Sequence, residues 1–147
     1  MGTVVNLQTP SQSFGDGYDS LVVREYYTST DGGVTLDVTG FAPANIRSGH
    51  VIIRKTAAEA DGTYIYKPMP VSGGSYAALP ADHEYYGHAV QSVSKAKPFV
   101  GVTYQAKINP LIGKQAAAQA AGIYDITSIL AALKAALTHV IYKGDKE

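Results

Sequence analysis

The sequence predicts a mainly β (α+β) fold: a compact β-sandwich or barrel with one or two short C-terminal helices and an extended N-terminal arm. Three observations support this prediction. Short β-prone segments punctuated by glycine and proline follow one another closely, an alanine-rich stretch comes after them, and the first 20 residues show no sustained period. The chain has 147 residues, enough for one ordinary domain. We place that domain at residues 21–147, behind an arm at residues 1–20.

The arm is polar and aperiodic, rich in Gln, Ser, Thr, Gly and Asp, with isolated Leu7, Phe14 and Tyr18. One interpretation is a fraying terminus. The other is a segment that becomes ordered on a partner and uses its few apolar residues as anchors. Composition leaves both interpretations open.

The domain begins with a predicted β-hairpin. Residues 21–27 are β-prone, a turn sequence follows at residues 31–33, and residues 34–38 alternate between apolar and polar. Because strand side chains alternate with a period of two, Val34, Leu36 and Val38 are expected to face inward.

Further strand-like segments occupy residues 50–55, 63–67, 76–79, 85–93 and 99–108. These segments follow one another at short intervals, and the loops that connect them contain glycine or proline. This pattern favours a sandwich or barrel over a βαβ layout. The helical region spans about residues 111–137. A closing strand is predicted at residues 139–142.

Two helices are predicted within that region. Residues 115–121 are strong helix formers that end at Gly122, where a left-handed cap is expected. The second runs from about residue 127 to 137, with one apolar stripe that starts at Ile126 and ends at Leu137. That stripe either forms an oligomer contact or packs on the chain's own sheet, and the second alternative is favoured.

Composition excludes several classes of function. Lys plus Arg and Asp plus Glu each number 12, so no basic footprint for nucleic acid or an anionic membrane is present. The chain has no cysteine, which removes disulfides and thiol chemistry. No apolar run has the roughly 20 residues of a spanning helix. Only 16% of residues are charged, low for the surface of a lone monomer, which favours partner contacts.

No motif indicates catalysis. The string at residues 83–88 looks like a zinc-protease motif, but its histidines are five residues apart and a chelating helix face needs a spacing of four. The Asp-Gly pairs at residues 16–17 and 61–62 are typical of turns and lack the ligand spacing of a calcium loop. No nucleophile elbow or phosphate loop is present. We therefore expect no enzyme activity, metal, cofactor or small-molecule substrate.

Tyrosine dominates the aromatic residues, with 11 Tyr against 3 Phe and no Trp. Tyrosine suits contact surfaces because its ring can be buried while its hydroxyl stays wet. Tyr26, Tyr64 and Tyr85 are candidates for oligomer or surface contacts. A glycan-stacking platform is the alternative use of these rings, although neighbours such as Tyr85 and Tyr86 must point to opposite faces of a strand.

One stretch of the chain carries a family resemblance, over roughly residues 46–142. It contains a Ser48-Gly49 turn into an apolar strand, then Gly62-Thr63-Tyr64-Ile65-Tyr66-Lys67-Pro68 and a Gly-bearing loop. The strands at residues 87–90 and 99–102 and the Ala-rich helical region follow. In this order the segments resemble the bacteriophage head decoration proteins. The added N-terminal hairpin and the long loop at residues 57–60 depart from the pattern and leave a head-fibre base as a related possibility.

The resemblance implies a structural virion protein that binds and stabilises a capsid lattice. Its partners would be the major capsid protein and two further copies in a homotrimer, with no nucleic acid or membrane. It would be made in the host cytoplasm and end on the outer capsid surface. On this view Leu7, Phe14 and Tyr18 are the expected capsid contacts. A non-catalytic module for glycan or cell-surface recognition is the alternative.

Overall fold

The computed structural model describes residues 22–30 and 32–144. Its strands, in chain order, are β1 (Val23–Ser29), β2 (Val34–Thr35), β3 (Asn45–Ile46), β4 (Val51–Lys55), β5 (Tyr66–Pro68), β6 (Val71–Ser72), β7 (Ser75–Tyr76), β8 (His83–Ala89), β9 (Val93–Ser94), β10 (Phe99–Val100), β11 (Val102–Ile108) and β12 (Ile141–Tyr142). A 3₁₀ turn (Ile112–Lys114) and the helices α1 (Ala116–Ala120) and α2 (Leu130–Ala136) lie between β11 and β12. The mainly β fold with two short helices near the C-terminus is confirmed.

A six-stranded sheet in the order β1-β11-β8-β4-β5 forms the centre of the molecule, and β12 pairs with β11 as its sixth strand. Neighbours along this path are antiparallel, whereas β12 runs parallel to β11. On β11, only Val102 and Thr103 pair with β8, and β12 pairs further along, at Lys107 and Ile108. Strands β8 and β11 therefore diverge after a short contact, and the sheet curls.

Gly87 lies where these two strands come together. A Cβ atom built on Gly87 would lie 2.3 Å from the carbonyl oxygen of Thr103. Only a residue without a side chain permits this approach between β8 and β11. The sheet's curl therefore depends on a glycine that the sequence places inside a β-prone segment.

Two hydrophobic cores lie on the two faces of the sheet. The helix-side core includes residues of the helical region and strand residues such as Val51, Ile53 and Ile108. The loop-side core includes Ile52 and Val102. Consecutive residues of β4 thus enter opposite cores, as the alternation of strand side chains requires. The centre of the sheet is covered on both faces.

The helical region packs on the chain's own sheet. Ile126, Leu133 and Leu137, three residues of the predicted apolar stripe, are buried in the helix-side core. Gly122 has φ +91° and ends the α1 segment in the expected left-handed conformation. Helix α2 begins at Leu130, later than predicted, because residues 126–129 form a turn in which the Ile129 amide donates to the Ile126 carbonyl at 3.0 Å.

The predicted N-terminal hairpin does not form. Strand β1 pairs with β11, and β2 pairs with β10. The backbone groups of both segments are satisfied by a later part of the chain: the Thr30 amide donates to the Val102 carbonyl at 2.9 Å, and the Leu36 amide donates to the Pro98 carbonyl at 2.8 Å. Strands β1 and β2 therefore pair one after the other along residues 99–108 and not with each other.

The later strands are more broken than predicted. The segment at residues 63–67 is extended only from Tyr66, because Asp61 accepts hydrogen bonds from the Thr63 amide at 3.0 Å and its hydroxyl at 2.6 Å and keeps this part a turn. The segment at residues 85–93 divides into β8 and β9, and that at 99–108 divides into β10 and β11. No helix in residues 22–30 and 32–144 is long and apolar enough to cross a membrane.

Candidate docking surface

Among the residues that the structure describes, none covers the side of the sheet opposite the helices where β1, β11 and β12 lie together. In β11, Ala106 and Ile108 enter the helix-side core, so Lys107 between them points away from it. In β12, Tyr142 enters the same core, and its neighbour Ile141 is 49% exposed. The side chains turned away from the core form what we name the open face: Glu25, Tyr27, Gln105, Lys107 and Ile141.

The polar groups of the open face are mutually paired. The Tyr27 hydroxyl donates to Oε2 of Glu25 at 2.5 Å, and Nζ of Lys107 lies 3.4 Å from the same oxygen. The hydrogen bond from Tyr27, followed by the interaction with Lys107, lowers the pKa of Glu25. Interaction with Glu25 raises the pKa of Lys107. Both groups are fully charged near neutral pH, so this part of the face has no net charge.

Two exposed apolar groups accompany this charge pair. The Tyr27 side chain is 57% exposed although its hydroxyl is hydrogen-bonded, so its ring faces solvent. Ile141 lies beside Lys107 in the parallel register of β12 and β11. Apolar surface bordered by paired charges is the composition of protein contact surfaces, where the apolar part is buried and the polar rim stays wet.

A row of three tyrosines continues this face across the sheet. Tyr104 of β11, Tyr86 of β8 and Tyr66 of β5 form the tyrosine row. Ring centroids are 6.3 Å apart for Tyr104 and Tyr86 and 4.9 Å apart for Tyr86 and Tyr66, with interplanar angles of 51° and 56°. Burial, with a smaller contribution from Tyr66, raises the pKa of Tyr86 to about 12. The rings are tilted and do not form one flat platform.

Arg54 of β4 lies beside the tyrosine row and contacts the rings of Tyr64 and Tyr86. Its guanidinium carbon lies 4.3 Å from the ring centroid of Tyr64 and 5.0 Å from that of Tyr86. Its Nε donates to Oε1 of Glu84 at 2.9 Å, and a second guanidinium nitrogen contacts the same oxygen. The carboxylate and the two aromatic rings together hold the guanidinium in one orientation.

The tyrosine row and the open face belong to one side of the sheet. Tyr86 packs against the loop-side core, opposite the helices, and Tyr104 contacts Tyr86. The register of β11 against β1 shifts between Thr103 and Gln105, so Gln105 follows Tyr104 on the same side, where it accepts a hydrogen bond from the Thr28 hydroxyl at 2.9 Å. We call the whole strip, from Tyr64 and Arg54 through the row to Ile141, the outer face. Tyrosine and arginine are the side chains most enriched at binding hot spots.

The predicted contact tyrosines lie in different places. Tyr64 is 38% exposed on the outer face. Tyr85 is half-buried and packs against the helix-side core, on the side of the sheet opposite Tyr86. Tyr26 pairs with Ala106 along β1, and its side chain is outside the described part. Leu7, Phe14 and Tyr18 lie outside the described residues, as does the whole predicted arm at residues 1–20.

Sequence reasoning named Tyr85 and did not name Tyr27, Tyr86, Tyr104 or Ile141, which the structure places on the outer face. Tyr27, Tyr86 and Tyr104 are recognisable from the sequence only as members of a tyrosine-rich set. Alternation separates Tyr85 from Tyr86, but it does not tell which face the helices cover. That information comes from the pairing of β11 with β1 and β12, which joins segments far apart in the sequence.

The two histidines of the zinc-protease-like string have separate environments. His88 is fully buried, with Nδ1 2.9 Å from the Gly49 carbonyl oxygen and Nε2 2.7 Å from the Tyr142 hydroxyl. Desolvation lowers the pKa of His88 to about 4. His83 lies at the start of β8 and contacts the Ala81 carbonyl. Within the described ranges, no three His, Asp or Glu side chains are grouped to hold a metal ion.

The outer face is thus the feature of the described chain with the chemistry of a contact surface. It combines exposed tyrosine, a fixed arginine and paired charges. No protein-family model, curated protein or solved structure matches this chain at a significant level.

Proposed function

We propose that this protein is a non-catalytic structural component of a bacteriophage head, bound to the outer capsid surface as a decoration or auxiliary head protein. The observation that carries the proposal is the outer face, a strip of tyrosine, isoleucine and paired charges on a sheet whose opposite face is packed. The partners would be the major capsid protein and further copies of the chain in a homotrimer.

The chemistry of the outer face supports a protein partner. Its charged groups are already paired within the chain, Glu25 with Lys107 and Glu84 with Arg54. When such a pair is buried against a neutral protein surface, neither charge is left without a partner. An unpaired buried charge would weaken binding. The exposed rings of Tyr27 and Tyr104 supply contact area with few rotatable bonds. These features favour docking on a shell of folded protein over binding of a charged polymer.

The connection between the arm and the outer face supports a two-part contact. Strand β1 is at one end of the sheet path and contributes Glu25 and Tyr27 to the open face. Residues 1–20 lead into this strand along the chain. Anchors at Leu7, Phe14 and Tyr18 would therefore engage the same lattice as the open face. Two linked weak contacts give an avidity that neither provides alone.

The mechanism is mass action. A protein that binds only the assembled lattice stabilises that lattice by the free energy of binding, with no chemical step. The described fold suits such a role because its two cores make a rigid sheet, which loses little conformational freedom when it docks.

The first test is the solution mass of the purified chain, measured by light scattering over a concentration series. A trimer is expected. The second is cosedimentation with shells assembled from the major capsid protein encoded in the same genome. Removal of residues 1–20 should weaken shell binding at least tenfold while the circular dichroism spectrum is unchanged. A chain that is monomeric at every concentration and does not sediment with shells would overturn the proposal.

A matched pair of variants tests the outer face itself. Ile141→Lys places a charge in the open face and should weaken shell binding about tenfold, because an unpaired charge would be buried on docking. Ala60→Lys adds the same charge at an exposed residue of the loop at residues 57–60 and should bind like the unmodified chain. If both variants bind shells equally well, the open face is not part of the capsid contact.

A non-catalytic glycan or cell-surface module is the second candidate, favoured by the tyrosine row. In that case affinity resides in Tyr66, Tyr86 and Tyr104, and removal of residues 1–20 leaves ligand binding unchanged. A head-fibre base would share the capsid contact and add a bound fibre protein. Glycan-array binding that survives the truncation and is abolished by Tyr104→Ala would favour the glycan module.

A further inference from the structure

Two tyrosine rings of the tyrosine row lie in direct contact. Tyr66 of β5 and Tyr86 of β8 have ring centroids 4.9 Å apart and an interplanar angle of 56°. This separation is near the short end of the roughly 4.5–7 Å range of aromatic contacts. Burial, followed by interaction with Tyr66 that includes a side-chain hydrogen bond, raises the pKa of Tyr86 to about 12. The two phenol hydroxyls are therefore neighbours, which brings the ring carbons ortho to them close together.

The surrounding strands hold both rings in place. Arg54 of β4 is opposite Tyr66 in the register with β5, and its guanidinium carbon lies 5.0 Å from the ring centroid of Tyr86. Both tyrosines pack against the loop-side core, and both remain partly exposed. The fold thus keeps the pair in one arrangement and leaves it open to small solutes.

This arrangement suits the oxidative coupling of two phenols. One-electron oxidation of a phenol removes an electron and the hydroxyl proton, and the unpaired spin of the phenoxyl radical lies partly on the ortho carbons. Two such radicals combine through a carbon–carbon bond between ortho carbons. The hydrogen on each coupled carbon then moves to the oxygen of its ring, which restores both phenols. The joined rings are twisted because their ortho substituents would otherwise collide, so a tilted pair with adjacent hydroxyls is pre-arranged for the reaction.

We propose that Tyr66 and Tyr86 form an intramolecular dityrosine cross-link when a peroxide-type oxidant acts on the protein. The O–O bond of the peroxide breaks and takes up two electrons, and the two hydroxyl protons lost on oxidation pass to solvent. The chain has no cysteine, so this bond is a covalent staple that sulfur cannot provide here. It would join β5, at the end of the sheet path, to β8 and constrain the unfolded chain as other cross-links do. The inference is independent of the proposed capsid function, because the reaction needs only one chain.

Two other tyrosine pairs provide comparisons within the same molecule. The ring centroids of Tyr86 and Tyr104 are 6.3 Å apart, and those of Tyr76 and Tyr124 are 5.8 Å apart. Both separations exceed that of Tyr66 and Tyr86. Tyr76 is in addition buried in the helix-side core, away from an oxidant in solvent. Because coupling requires close approach of two ring carbons, the bond between Tyr66 and Tyr86 should be the main product.

The test oxidises the dilute full chain with persulfate, an inorganic peroxide, and a photo-excited ruthenium complex. The fraction with the mass of one chain is then isolated under denaturing conditions. Trypsin with a glutamate-specific protease separates peptide 60–84, which contains Tyr66, from peptide 85–95, which contains Tyr86. The two peptides should be recovered joined, lighter by two hydrogen atoms than their sum and with the blue fluorescence of dityrosine. Oxidation in urea should lower this yield about tenfold, because the rings are then no longer held together.

Matched variants assign the bond to these two rings. Tyr66→Phe and Tyr86→Phe should each lower the yield of the joined peptides about tenfold, because phenylalanine forms no phenoxyl radical and the next tyrosines are less well placed. Tyr64→Phe, beside Arg54, and Tyr85→Phe, on the helix side of the sheet, should leave the yield unchanged. Circular dichroism before oxidation reports the fold of each variant. The proposal fails if the native chain loses tyrosine to the oxidant without joining these peptides, or if folded Tyr66→Phe joins them as efficiently as the unmodified chain.

Discussion

The centre of the sheet and its β1 end differ in how many faces are covered. In β4, Val51, Ile52 and Ile53 are each 0% exposed, since one face meets the helix-side core and the other the loop-side core. In β12, Tyr142 is buried while the adjacent Ile141 is about half exposed. Within the described part of the chain, one sheet thus has a region covered on both faces and a region covered on one face. The two regions are expected to differ in how much their side chains contribute to the free energy of unfolding, which can be measured.

The largest expected effect is acid destabilisation of the doubly covered centre. Desolvation lowers the pKa values of His50 and His88 from 6.5 to about 4. Below pH 6.5 the unfolded chain takes up protons that the native chain does not. The free energy of unfolding should therefore fall by about 1.4 kcal/mol per pH unit for each histidine between pH 6.5 and 4, about 3 kcal/mol for each in total.

Urea denaturation at several pH values measures this slope. His88→Leu removes one titrating group and should reduce the slope in this window to about half. His139→Ala, which removes an exposed histidine, is the control for loss of an imidazole as such. A free energy of unfolding that is constant from pH 6.5 to 4 would contradict the prediction.

Truncation of one isoleucine in each region compares the two directly. Ile52→Ala leaves a cavity at a fully buried site and should lower the free energy of unfolding by about 2–5 kcal/mol. Ile141→Ala removes a half-exposed side chain from the open face and should change it by less than about 1 kcal/mol. Chemical denaturation of both variants gives the two values. Similar losses would mean that the open face is covered after all and that the comparison is wrong.

A smaller loss than that of Ile52→Ala is expected from the hydrogen bond that joins β12 to β8. Tyr142→Phe removes the hydroxyl that lies 2.7 Å from Nε2 of His88 and leaves this buried nitrogen without its donor. A loss of about 1–3 kcal/mol is expected. Thermal unfolding followed by circular dichroism measures it, and Tyr104→Phe, at a hydroxyl on the outer face, is the matched control. An unchanged melting temperature for Tyr142→Phe would show that this contact does not stabilise the sheet.

Much of the local secondary structure could be predicted from the sequence, but the pairing of the strands could not. Alternation places Leu36 inside, and the alanine-rich segment before Gly122 predicts a short helix. The hairpin prediction failed because local turn chemistry does not reveal that β1 and β2 both find their partners in residues 99–108. Strand β1 finds its partner in β11, with Val23 beside Ile108. A pairing at that distance along the chain depends on which faces bury together, and no short segment encodes it.

The candidate sites show the same division. Sequence reasoning identified tyrosine as the contact residue and separated Tyr85 from Tyr86 by strand alternation. It named Tyr85, which packs towards the helices. Strand alternation does not reveal which face of the sheet the helical region covers, since that is a tertiary property.

The position of β12 also sets an order for folding on the ribosome. Tyr142 hydrogen-bonds to His88, 54 residues earlier, and β12 pairs with β11 where that strand has separated from β8. While the chain is being synthesised, the remainder of the sheet emerges before the strand that closes this gap. Native closure must therefore wait until Tyr142 has left the exit tunnel, after the other strands of the sheet have emerged. Nascent chains stalled before β12 are expected to be the protease-sensitive form of this protein.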